Sequence, residues 1–368
     1  MGFLWRTRSN EKKITPVLSW PESEPESEIT IPPEFQSLIQ RIPTPRVPLM
    51  PCEVYEISRK LSSATRRGDY EKCGVIIEKI KKLGDESEKN RKCVNENSVG
   101  WVLCDCFDKF SGDEKLTFML NEILSLLTWM FPIGLEGISK LASATSFRCV
   151  AGLLKSTDDS VRQNAAFIMK EILSLDETRV HSFAVENGVA EALVKLIRDS
   201  VSSSSTKSSL IAIYQMVLQK PEIASEFLEI GLVSITVEMI VDAENSVCEK
   251  ALAVLDAICE TEHGREEVRK NALVMPLLVK KIAKVSELAT RSSMSMILKL
   301  WKTGNTVAVE DAVRLGAFQK VLLVLQVGYG EETKEKATEL LKMMNTQMKL
   351  MSDCVDSLKE FKYIKKPF

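Results

Sequence analysis

The sequence predicts an all-α chain built from stacked helical repeats. Apolar residues recur at helical spacing from about Cys52 onward, and no stretch alternates apolar and polar residues as a half-buried strand does. Related segments also return about every 41 to 45 residues, a period that belongs to helical repeat arrays. Of the 368 residues, 45% are hydrophobic but only 6% aromatic. Leu, Val, Ile, Ala and Met therefore make the core, which suits helix on helix better than a sandwich of sheets.

Residues 1–50 read as a disordered or extended tail. A small basic cluster (Arg6, Arg8, Lys12, Lys13) precedes the acidic low-complexity stretch Pro21–Glu28, and prolines recur at 32, 33, 43, 45, 48 and 51. No helical period survives that proline density. The cations are spread out, so a solvated tail fits them better than a nuclear signal or a membrane contact.

Residues 51–89 are expected to form a helical hairpin. Val54, Ile57, Leu61 and Ala64 share one face of a first helix, which Gly68 ends. A second helix begins near Asp69, with Val75, Ile76, Ile80 and Leu83 on one side and Gly84 after it. The hairpin is expected to cap the array by covering the apolar end of its first repeat.

Residues 90–345 repeat themselves. Segments 186–199, 229–242 and 314–327 each carry a glycine followed by an apolar helix, and amphipathic second helices occupy 161–175, 247–259 and 333–344. Gly100, Gly188, Gly231 and Gly316 mark the period, with Thr145 and Ala272 in the same slot elsewhere. Glycine there permits the sharp turn between two short helices. A repeat of this size and make-up describes an armadillo array, six repeats in one right-handed α-solenoid, with 346–368 as a C-terminal tail.

Composition excludes several function classes. A formal charge of −2 and a pI near 6.0 give no field for nucleic acid or an anionic membrane. No apolar run approaches the roughly 20 residues that span a bilayer. The N-terminus shows no signal segment, and Arg6 counts against myristoylation of Gly2. Nine scattered cysteines read as reduced thiols in the cytoplasm or nucleus.

Catalytic and metal chemistry finds no foothold. His181 and His263 lie in corresponding repeat starts, away from any ligand cluster. Cys104 and Cys106 fall on different sides of a helix with no second Cys or His pair, so zinc is not expected. No cysteine has a base nearby, no phosphate-binding glycine loop occurs, and Val327–Gly330 reads as a loop between helices. No cofactor and no catalytic residue are expected. What remains is binding, on the concave groove lined by the third helix of each repeat. Importin-like arrays hold an extended peptide there with asparagines. This chain aligns Thr128, Glu171, Gln215, Ala257, Lys299 and Met343 to that position, so the asparagine ladder is missing. With Arg162, Lys170, Lys207, Glu249 and Lys250, the groove is of mixed charge: either it recognises a specific protein substrate or signalling partner, or these charges are solvated faces.

Several strings carry a resemblance to a known family. Ile29-Thr30-Ile31-Pro32-Pro33-Glu34-Phe35-Gln36 resembles the lead-in to the U-box of plant U-box/armadillo ubiquitin ligases. Arg41-Ile42-Pro43-Thr44-Pro45-Arg46-Val47-Pro48 resembles the linker after the box in their Cys-Met-Pro-Gly class. Leu61–Tyr70, Asn90–Val94, Leu127–Pro132 and the terminal Asp356…Phe361-Lys362-Tyr363 are similar to the same class. The resemblance implies an armadillo fold, a place in protein ubiquitination, and signalling in plant defence or stress. It also implies a box that docks a ubiquitin-charged E2, and here the sequence departs. Gln36 runs directly into Ser37, without the Cys-Pro-Ile-Ser opening, the Asp-Pro-Val turn or the Cys-Pro-x-Thr segment. The expectation is a substrate-recruiting array without ligase activity of its own, with an E2 as partner only if activity survives. The rivals are an active E3 ubiquitin transferase and a scaffold unrelated to ubiquitin.

Overall fold

A computed structural model describes residues 49–175, 188–302 and 306–354, and among them every regular element is helical. The tail expected over 1–50 lies, but for its last two residues, outside the described residues, as do His181 and residues 355–368.

Helices α1 (Pro51–Arg67) and α2 (Tyr70–Glu86) form the hairpin. Pro51 takes the first helical position, where a missing N–H costs nothing, and the Glu53 carboxylate accepts from the Met50 N–H at 3.0 Å. Val54, Ile57, Leu61 and Ala64 are buried, and Gly68 ends α1 at φ 71°. The face of α2 differs from expectation. Its buried residues are Cys73, Ile77, Ile80 and Gly84, whereas Val75 is 69% exposed. Three consecutive apolar residues at 75–77 cannot all face inward on one helix. Gly84 lies inside α2 rather than after it, because a Cβ there would sit 3.0 Å from the Trp129 ring.

Units of three helices follow. The first holds α3 (Glu88–Glu96), α4 (Val99–Phe110) and α5 (Thr117–Met130). The second holds α6 (Leu135–Leu141), α7 (Ala144–Leu154) and α8 (Asp159–Leu175). In the third, α9 (Val189–Asp199) and α10 (Ser203–Gln219) follow residues 176–187, which are not among those described. The fourth holds α11 (Ala224–Glu229), α12 (Leu232–Asp242) and α13 (Asn245–Ile258). The fifth holds α14 (Glu262–Lys270), α15 (Val274–Lys281) and α16 (Glu287–Lys302). The sixth holds α17 (Thr306–Arg314), α18 (Ala317–Gln326) and α19 (Glu331–Cys354), the last running past residue 345.

The third helices stack in one ladder, α5, α8, α10, α13, α16 and α19 each packing on the next. The hairpin extends it, α2 against α5 and α1 against α4, in the places of a second and third helix. Each third helix thus packs both on the second helix of its own unit and on the third helices of its neighbours.

Gly188, Gly231 and Gly316 stand immediately before α9, α12 and α18 with φ of 84°, 82° and 83°. The other slots differ from expectation. Ser98 (φ 59°), Ser143 and Leu273 precede α4, α7 and α15, so Gly100 and Thr145 sit inside helices and Ala272 falls before the cap. Gly231→Ala meets no atom within 4 Å of the new Cβ, so only its backbone is strained. It is expected to cost about 1–2 kcal/mol in urea unfolding. Gly152→Ala in α7, equally unobstructed but helical, should instead gain about 0.5–1 kcal/mol.

Cys104 and Cys106 are both buried, because α4 is covered by α1 on one side and α6 on the other. Burial pushes the Cys104 thiol up to about 12. The eight cysteines from Cys52 to Cys259 are all free.

Candidate protein-binding groove

One stripe of α13 makes its groove face. The helix is apolar on most sides, but Glu249, Ala253, Asp256 and Glu260 recur at spacings of three and four and point away from the core. They border a cavity of about 450 Å³ between α10, α13, α16 and α19, whose walls also include Tyr214, Gln215, Arg291, Lys299 and Lys336. Gln215 and Lys299, both expected in the groove, meet here.

Lys299 is the centre of its polar network. The Nζ donates to Asp256 Oδ1 at 2.6 Å and to the Asp256 carbonyl at 2.8 Å, and lies 2.7 Å from Glu260. Burial raises the Asp256 carboxyl above its usual value, and Lys299 only partly opposes this. Burial also disfavours the Lys299 charge, but Asp256 and Glu260 more than offset it and hold the ammonium above the ordinary lysine value. Arg291 pairs with Glu332 at 2.5 Å and Lys302 with Glu339 at 2.9 Å, so charges are joined from one third helix to the next.

Towards the N-terminal end the same row holds aromatic rings. Lys81 on α2 pairs with Glu122 on α5 at 2.5 Å. Phe131 and Phe167 meet edge to face at 5.5 Å, and Lys170 Nζ lies 4.2 Å over Phe167. Glu171 holds Lys170 at 2.5 Å, and Thr128 donates to its own helix at the Ser125 carbonyl, 2.7 Å away. Trp129 packs against Gly84 with Arg91 over its ring at 5.7 Å, a structural position.

Two residues placed in the groove by alignment, and one placed there for its charge, are found inside instead. Ala257 and Met343 are 8% and 6% exposed. A shift of one residue turns a helical position by about 100°, and on α13 the groove belongs to Asp256. Arg162 is buried too, bonded to Asp159 and, at 3.0 Å, to Asp199, where it ties α8 to the end of α9. Lys207 is engaged by Glu244 at 3.0 Å. The sequence reading missed Asp256, Glu260, Arg291 and Tyr214. The signal for Asp256 was its charge in the apolar C-terminal half of its helix.

A larger cavity of about 850 Å³ lies where the turns of the first two units approach, lined by residues such as Phe118, Arg148 and Cys149. None of the expected groove residues reaches it. Among the described residues, no group of three His, Cys, Asp or Glu is placed to hold a metal ion. None of the described helices is long and apolar enough to cross a membrane.

Comparison with known proteins agrees with this architecture. The plant U-box protein ARM repeat region matches residues 53–365. The Arabidopsis thaliana U-box domain-containing protein 21 is 84% identical over 435 aligned positions that span all of both chains. U-box domain-containing protein 20 of the same plant is 55% identical, over 90% of this chain and 75% of its own. Its E3 ubiquitin-protein ligase PUB23 is 26% identical over 83% of this chain and 74% of its own. Among solved structures, a designed armadillo repeat protein in complex with peptide (KR)4 superposes with a TM-score of 0.53 at 21% identity, over 65% of this chain and 98% of its own. The last likeness shows the fold alone. The chain belongs to the plant U-box protein family, through its armadillo repeat region.

Proposed function

We propose that this chain is a partner-recruiting array of the U-box ligase family, binding a protein along the α10–α13–α16–α19 groove without transferring ubiquitin on its own. A length difference carries the second half of this reading. The alignment with U-box domain-containing protein 21 has 435 positions against 368 residues here, leaving 67 positions that this chain does not fill. Both chains are aligned end to end, so the unfilled positions are internal. They fit the junction of Gln36 and Ser37, where the sequence lacks the family's E2-docking segments. The few residues between the two flanks cannot bury a core or present two docking loops.

The binding half rests on the groove. Its acids at Asp256, Glu260 and Glu332 are engaged by Lys299 and Arg291, which leaves no free acidic row for a basic peptide. Ile211, Tyr214, Gln215 and Leu218 share one face of α10 beside these ion pairs, with Leu218 exposed. An apolar strip beside engaged charges suits one specific protein face. The partner is a substrate or signalling protein, met in the cytoplasm or nucleus, in the defence or stress signalling that the family resemblance implies.

Relatives named as E3 ligases favour the rival reading, active ubiquitin transfer. The purified chain, incubated with E1, a panel of E2s and ubiquitin, separates the two. Beside it runs a version with the relative's segment restored between Gln36 and Ser37. Ubiquitin chains from the restored protein alone are the expected result. Chains from both would mean that the array itself recruits E2, and the proposal would be wrong.

A further inference from the structure

Lys281 is a buried cation without an acid. It closes α15 at 7% exposure, and among the described residues its Nζ makes no ion pair and donates to Cys248 Sγ at 3.3 Å. The groove's Lys299 and the buried Arg162 each hold two carboxylates. An ammonium buried without such a partner is costly. Cys248 is fully buried on α13, its Sγ donating to the carbonyls of Ile240 at 3.5 Å and Ala243 at 3.2 Å. The sulfur is thus fixed on one side by carbonyls and faced on the other by the Lys281 nitrogen, close enough for the two to bond once the sulfur is oxidised.

We infer that Cys248 and Lys281 form an oxidative modification site, at which peroxide converts their contact into a covalent S–N bond. In the first step Sγ attacks one peroxide oxygen. The S–O bond forms, the O–O bond breaks, and the departing hydroxide takes the thiol proton, leaving a sulfenic acid and water. In the second, Nζ releases a proton to solvent and its lone pair attacks the sulfenic sulfur. The S–N bond forms, the S–O bond breaks, and the leaving hydroxide takes a nitrogen proton to become water. Sulfur is oxidised by two electrons and one peroxide is reduced. The product is a sulfenamide, the bond that sulfenic acids form with backbone nitrogen.

The position gives the bond a consequence. It joins the third helix of the fourth unit to the second helix of the fifth, and the next residues after Cys248, Glu249 and Lys250, line the groove cavity. Oxidation would clamp two units whose third helices form that cavity.

The test is peptide mapping of the full chain after hydrogen peroxide, using a protease that does not cut at lysine. The expected product is a linked pair of peptides containing Cys248 and Lys281, two hydrogens lighter than their sum and separated by dithiothreitol. It should be missing from Cys248→Ser and Lys281→Met, and the wild-type melting temperature should rise by about 2–4 °C with peroxide and fall back with reductant. Recovery of wild-type Cys248 as a free thiol or sulfinic acid, with Lys281 unlinked, would overturn the inference whether or not the variants fold. So would a linked Lys281 peptide that persists in Cys248→Ser.

Discussion

Leu255→Asp is expected to unfold the whole array rather than loosen one unit. Leu255 is fully buried on α13, in the middle of the third-helix ladder, and no cation of the groove stripe reaches its side of the helix. A carboxylate there has no partner and costs several kcal/mol, to which the lost leucine packing adds about 2–5 kcal/mol. A domain's whole stability is about 5–15 kcal/mol. Because each unit is stable only against its neighbours, the damage passes to α10 on one side and α16 on the other. Far-UV circular dichroism should show loss of most helical signal in Leu255→Asp, and likewise in Ile172→Asp on α8. Val75→Asp, at the exposed position on α2, should leave signal and melting temperature unchanged. A soluble Leu255→Asp protein with the wild-type spectrum would refute the core assignment.

The contrast between Leu255 and Val75 shows what was legible in the sequence. Leu255 lies in a helix whose apolar residues are so dense that nearly any register buries it. On α2, Val75, Ile76 and Ile77 are consecutive, and periodicity alone could not say which faced the core. The answer came from Gly84 and Trp129, a packing detail between helices about 45 residues apart, which no local pattern carries. The repeat turns behaved alike. Gly188, Gly231 and Gly316 were legible because a positive φ selects glycine, but Ser98 takes the same left-handed conformation without glycine, and Ser143 and Leu273 make the turn with negative φ, so none of the three left such a mark.

Groove residues were harder to place for a physical reason. A period that varies between about 41 and 45 residues fixes which helix forms a wall, while one residue of slip turns the side chain by about 100°. Gln215 and Lys299 line the cavity, whereas Ala257 and Met343 are buried. Charge carries the finer information. Within α13 the groove stripe is Glu249, Asp256 and, just past the helix end, Glu260, separated by an alanine at 253. A charged residue in an otherwise apolar third helix marks the face more reliably than counting from a distant repeat.

Lys299→Ala tests the network that this stripe builds. Its loss leaves Asp256 facing Glu260 without the cation that joined them. Neither partner of the Lys299–Asp256 pair is more than about a fifth exposed, which puts it between surface pairs, near 0–1 kcal/mol, and broken buried pairs, near 3–5 kcal/mol. A loss of about 2–3 kcal/mol at neutral pH is expected in urea unfolding. The pH dependence gives a sharper signature. Burial already raises the Asp256 carboxyl above 3.8, and removing Lys299, which pulls it down, raises it further. Between 3.8 and that raised value the folded variant binds a proton that the unfolded chain does not. Stability from this group is therefore fully present below 3.8 and lost as pH rises through the folded value, so acidification should recover part of the deficit. Adding Asp256→Asn should remove that recovery, because no buried carboxylate is then left to neutralise. If the Lys299→Ala deficit were the same across the acid range, Asp256 would not be the group left stranded. The groove would then be held by packing, with its ion pairs incidental.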